Sequence, residues 1–109
     1  MMLELIALQL QADDKLSEAA RLGFCRVWTG RAMEKVEEML NGIVEIEARE
    51  VEVGIGLTHT FIRAVCNGEE AFLFDGTGVS SYPPYFGLES RAPKHLLGSH
   101  PDMINEYRK

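Results

Sequence analysis

The fold turns on one stretch, Thr60-Phe61-Ile62-Arg63-Ala64-Val65-Cys66-Asn67-Gly68-Glu69-Glu70-Ala71-Phe72-Leu73-Phe74-Asp75. Asn67-Gly68 between two β-prone runs predicts a hairpin closed by a two-residue type I′ turn, because both turn positions need a positive φ. Such a turn sets a register: Cys66 faces Glu69, Ala64 faces Ala71, Ile62 faces Leu73 and Thr60 faces Asp75. Both faces of this ribbon are largely apolar, so it needs cover above and below. An N-terminal helix supplies one cover. The other falls to the C-terminal segment or to a second subunit.

Upstream of the hairpin, Ile43–Val53 alternates as a strand, but its apolar phase changes from even to odd numbers. A β-bulge near Arg49-Glu50 would restore a single apolar face and gather Glu45, Glu47, Glu50 and Glu52 on the solvated one. Before that strand, Leu16, Ala20, Gly23, Phe24 and Val27 form a helical stripe, capped by Asp13 or Asp14. The stripe shifts phase at Thr29-Gly30, which predicts a kink, and Asn41-Gly42 ends the helix. Residues 2–11 read as a strand, with a short helix as the competing assignment.

Downstream, glycines and prolines break the pattern from 75 to 98, predicting a long irregular segment. Tyr82, Tyr85, Phe86 and Leu88 anchor it. A short terminal helix is expected within 99–109, with Pro101 in its first turn. The expectation is one α+β domain over residues 1–109: a mainly antiparallel sheet of three or four strands, a long kinked N-terminal helix on one face, and a Gly/Pro-rich tail.

Composition narrows the function. The net charge of −6 disfavours phosphate backbones and anionic membranes, and the scattered Lys and Arg form no patch, so no nucleic-acid or membrane partner is expected. Glu4 interrupts the N-terminal apolar stretch and no basic segment precedes it, which points to the cytoplasm. Cys25 and Cys66 lie in no CxxC and at no zinc-finger spacing, so they read as reduced and buried. No cofactor is implied. His95 and His100 stand five apart without further ligands, and no metal site is assigned.

Candidate chemistry gathers where the hairpin strands end. Asp75-Gly76-Thr77-Gly78-Val79-Ser80-Ser81 has the glycines and hydroxyls of an anion-binding nest, but neither the lysine nor the following helix of a phosphate loop. A plain turn, with Asp75 accepting forward backbone N–H groups, competes with it. The predicted register sends His59 and Asp75 to opposite faces and disfavours a direct pair. Arg63, on the His59 side, reads either as an ion pair with Glu70 or as an anchor for a ligand's carboxylate or phosphate. Ligand candidates are therefore His59, Arg63, Asp75, Thr77, Ser80 and Ser81. A Cys25–His59 nucleophile has no sequence context to support it. Trp28, Tyr82, Tyr85 and Phe86 are interface candidates. Two functions follow: a non-catalytic module acting through association, as a homodimer, or a small-molecule binder or enzyme with its site between strand 59–63 and loop 75–81.

Overall fold

The computed structural model of the chain describes residues 2–40, 44–54, 57–66, 69–79 and 82–97. The architecture is α+β: helices α1 (Met2–Ala12), α2 (Asp14–Arg21) and α3 (Cys25–Leu40) precede an antiparallel sheet of order β1-β2-β3-β4. Its strands are Val44–Gly54, Leu57–Cys66, Phe72–Asp75 and Tyr85–Leu88; a 3₁₀ turn (Glu89–Arg91) and helix α4 (Lys94–Leu97) follow. The expected terminal helix at 101–108 lies outside the described residues.

Residues 2–11 are helical, against the strand reading. Leu3, Ile6, Ala7 and Leu10 are buried at spacings of three and one, whereas Leu5 and Leu8 are exposed. That is the 3.6-residue period; the aliphatic residues between the buried ones masked it. The helix break also sits earlier than expected. Asp13 caps α2, its Oδ1 accepting the Leu16 N–H at 3.0 Å. Gly23, at φ +74, closes it. The Phe24 N–H then reaches the Ala19 carbonyl and the Gly23 N–H the Ala20 carbonyl, a Schellman motif that only a left-handed residue completes without strain. The helix α3 runs unbroken through Thr29-Gly30 and starts at Cys25.

The β1–β2 ladder is continuous from Val44↔Cys66 to Glu52↔Thr58, its one shift falling between Glu52 and Gly54. The bulge expected at Arg49-Glu50 does not form. The four glutamates therefore split: Glu50 shares the helix-facing side with Ile46 and Ala48 and is 2% exposed, whereas Glu45 and Glu47 point the other way.

The hairpin register differs by one residue from the expected one. Ile62 pairs with Phe74, Arg63 with Leu73 and Ala64 with Phe72. The turn residues 67 and 68 lie outside the described residues. The Glu69 N–H donates to the Cys66 carbonyl at 2.9 Å, so the extra residue is taken up between Glu69 and Phe72. A slip of one exchanges every side chain on the strand between faces. Here it sends Phe72 and Phe74 into the larger core, with Ile62, Ala64, Trp28 and Val36 beneath the helices. Leu73 turns to the opposite face, with Val51, Phe61 and Leu96.

Both faces are thus covered within one chain. The helices lie on one and the 3₁₀–α4 segment on the other. Tyr85 and Ala92 complete the second cluster. The segment expected to be irregular carries β4, which pairs Phe86 with Phe74 and Tyr85 with Asp75. No helix among the described residues is long and apolar enough to cross a membrane.

Candidate functional site

The register slip has a chemical consequence. With Leu73 opposite Arg63, alternation puts Asp75 on the face that carries His59 and Phe61. The expected separation of His59 from Asp75 is overturned. His59 Nε2 lies 2.9 Å from Asp75 Oδ1, and the two residues are 1% and 0% exposed. Oδ1 also accepts the Gly78 N–H at 3.1 Å, which is the forward Asp75 turn considered from sequence. Gly78 makes that bond at φ +63, a conformation that favours glycine. Phe61 stacks on the imidazole, with centroids 6.2 Å apart.

With Nε2 committed to Asp75, Nδ1 is the ring nitrogen left for another partner. Cys25 lies close enough to His59 for each group to shift the other's pKa. The sheet explains how a helix residue reaches a strand histidine. β3 pairs with β2 only over Ile62–Ala64, so Thr60 has no β3 partner. Instead α3 fills the space: Thr29 Oγ1 donates to the Thr60 carbonyl at 3.2 Å, and Thr60 stands close enough to Cys25 to lower its pKa. Gly76 permits the approach, because a Cβ there would overlap the Trp28 ring. Trp28, one turn beyond Cys25, packs edge-on against Phe86 at 5.9 Å.

The electrostatics follow. Burial alone would raise the Cys25 pKa, but the hydrogen bond and charge of His59 and the two Thr60 groups together lower it below the ordinary thiol value. The positive end of α3 acts in the same direction. Burial would lower the His59 pKa; hydrogen bonds and charge from Asp75 and Cys25 override it and push it up to about 9. Both directions favour a thiolate–imidazolium pair over the neutral one. Cys25 is half-buried. Cys66 is buried, and burial with the nearby Glu69 charge pushes its pKa up.

The remaining sequence candidates scatter. Arg63 stands four residues from His59, about 13 Å along an extended strand. Its Nε donates to Glu89 Oε2 at 2.7 Å and its Nη1 lies 3.6 Å from Glu47, so it pairs with these acids and not with Glu70. Glu70 instead accepts the Ser90 N–H. Thr77 bonds the Gly78 carbonyl, and Ser80 and Ser81 lie outside the described residues. Of the aromatic candidates, Trp28 is buried, Phe86 packs on Trp28 and Phe74, and Tyr85 donates to the Leu88 carbonyl at 2.7 Å. Tyr82 is exposed and stacks on His95, with centroids 4.1 Å apart. Among the described residues no group of three His, Cys, Asp or Glu side chains is arranged to hold a metal ion.

Sequence reasoning set Cys25 aside. The available signal was Gly23, which ends one helix two residues before the cysteine and so places it at the start of the next. No family model, curated protein or solved structure matches this chain.

Proposed function

We propose that the protein is a thiol-dependent acyl-transfer enzyme, hydrolysing an amide or ester through Cys25, His59 and Asp75. The observation that carries the reading is the buried His59–Asp75 hydrogen bond of 2.9 Å, with Cys25 close enough to the same imidazole to raise its pKa. A nucleophile, a base and a group that orients the base are the three parts of covalent acyl transfer, recognised by geometry rather than by fold.

The roles follow from the atoms. The Cys25 thiolate attacks the substrate carbonyl carbon, forming a C–S bond. The proton on His59 Nδ1 passes to the leaving nitrogen or oxygen as its bond to carbon breaks. Water then attacks the thioester with His59 as base, releasing a carboxylic acid and restoring the thiolate–imidazolium pair. Asp75 fixes the tautomer and orientation of the ring. The first turn of α3 presents backbone N–H groups and a positive dipole end beside the reacting carbonyl.

Mass spectrometry after incubation with activated esters and amides tests this. An acyl adduct on Cys25, absent from Cys25→Ala and much slower to form in His59→Ala, is the expected result. No adduct and no turnover across acyl groups of differing charge and size would overturn it.

Self-association as a homodimer is a second reading with one observation in its favour. Leu5 and Leu8 are 60% and 63% exposed on one side of α1. The apolar second face of the sheet no longer argues for it, because the chain's own C-terminal segment covers that face. Sedimentation at micromolar concentration checks it, and a clean monomer removes it.

A further inference from the structure

We propose that Glu50 and Thr60 form a subsite beside Cys25 that binds a cationic amino group of the substrate; this rests on the acyl-transfer reading. The two residues are partners in the β1–β2 ladder, so both side chains stand on the helix-facing side with Cβ atoms about 5 Å apart. Glu50 Oε2 is a buried oxygen with no hydrogen-bond partner, and the buried Thr60 Oγ1 accepts no hydrogen bond. A carboxyl 98% removed from water and missing a hydrogen bond is costly, and such costs gather where a ligand completes the set.

The position ties this pair to the nucleophile. Thr60 stands close enough to Cys25 to lower the thiol's pKa. Arg26, the residue after Cys25, places Nη2 3.9 Å from Glu50 Oε2 and 3.4 Å from Thr58 Oγ1. The spot therefore already attracts a cation, held beyond hydrogen-bond distance. The Arg26 side chain is 56% exposed, so a competing cation would displace a surface group.

Chemistry selects the ligand class. An ammonium carries three donors and no acceptor, which suits a carboxyl oxygen and a hydroxyl oxygen that both lack donors. A substrate carboxylate or phosphate would meet Glu50 as a like charge. The net charge of −6 also draws cations toward the molecule.

The test compares fluorogenic amides of lysine and norleucine, which differ in the ammonium group. The expected kcat/KM ratio in the parent protein favours lysine by about 30-fold or more. Glu50→Gln should collapse that ratio toward one. A parent protein without the preference, or a ratio unchanged in Glu50→Gln, would overturn the proposal. Thermal shift with cadaverine on Cys25→Ala separates the two readings: amine stabilisation that disappears in Cys25→Ala/Glu50→Gln supports the subsite even if no amide is ever cleaved. If Glu50→Gln does not fold, Arg26→Gln answers the same question. Removing the resident guanidinium should strengthen cadaverine binding, and unaltered binding would count against the subsite.

Discussion

The two ends of β2 each meet a cysteine, and the two thiols are driven in opposite directions. At the Cys66 end the ladder is continued by β1, the helices close over it, and burial raises the thiol's pKa. At the Thr58–Thr60 end β3 has stopped, and the first turn of α3 takes its place. There His59 and Thr60 lower the pKa of Cys25 in spite of its own partial burial. The same element in the same chain thus raises the pKa of the thiol where its hydrogen bonds are spent on a neighbouring strand and lowers that of the thiol beside its open end. The contrast follows an interrupted sheet.

The sharpest way to break the comparison is to exchange the cysteines' fates by mutation. Cys25→Ala should lower turnover by about 10⁴-fold or more. Asp75→Asn preserves shape but favours the wrong imidazole tautomer, and should cost about 10³-fold in kcat. Steady-state kinetics with a substrate found in the ester and amide screen checks both. Gly76→Ala forces Trp28 aside, since the ring has no exposed side to retreat to. It should lower stability by about 1–3 kcal/mol, read by urea unfolding, and reduce activity through displacement of α3. The smallest effect belongs to Cys66→Ala, at about 1 kcal/mol of stability with turnover within about twofold, because its sulfur only fills space.

A pH series sharpens the same contrast. The reactive pair exists above the lowered pKa of Cys25 and below that of His59, so kcat/KM should fall as pH rises through about 9. The stability linkage runs in two directions. The contribution of His59 is full below its ordinary value of 6.5 and is lost as pH climbs through about 9. That of Cys25 is full above its ordinary 9.0 and is lost as pH falls through its lowered value. Thermal melts of the parent and of Asp75→Asn across this range should converge above pH 9, where the His59 contribution has gone from both.

Much of the fold was legible because hydrophobic period and turn chemistry are local. The α+β class, the antiparallel sheet and the need for cover on both faces all follow from the strand runs around residues 60–75. The Asp75 turn onto Gly78 was legible for the same reason. What was not legible depends on one residue. A single residue absorbed between Glu69 and Phe72 moves Asp75 from the face opposite His59 to the face beside it. The alternation of Ala71, Phe72, Leu73 and Phe74 is apolar in both phases, so the sequence pattern does not choose between registers; the volume of the two phenylalanines under the helices does. Glu50 was hidden by a parallel effect. Assuming that every acid on β1 seeks water required a bulge, whereas the regular ladder buries this one. In both cases the local rule gave way next to the site.

The most direct test is the alkylation of the native protein by iodoacetamide from pH 5 to 10, with the modified peptides carrying Cys25 and Cys66 quantified separately. The account predicts that Cys25 is already carboxamidomethylated below the ordinary thiol value of 9.0 and that this advantage is lost in His59→Ala, while Cys66 stays protected until the protein unfolds. A Cys25 rate that rises only around the ordinary value of 9.0, indifferent to the removal of His59, would contradict it.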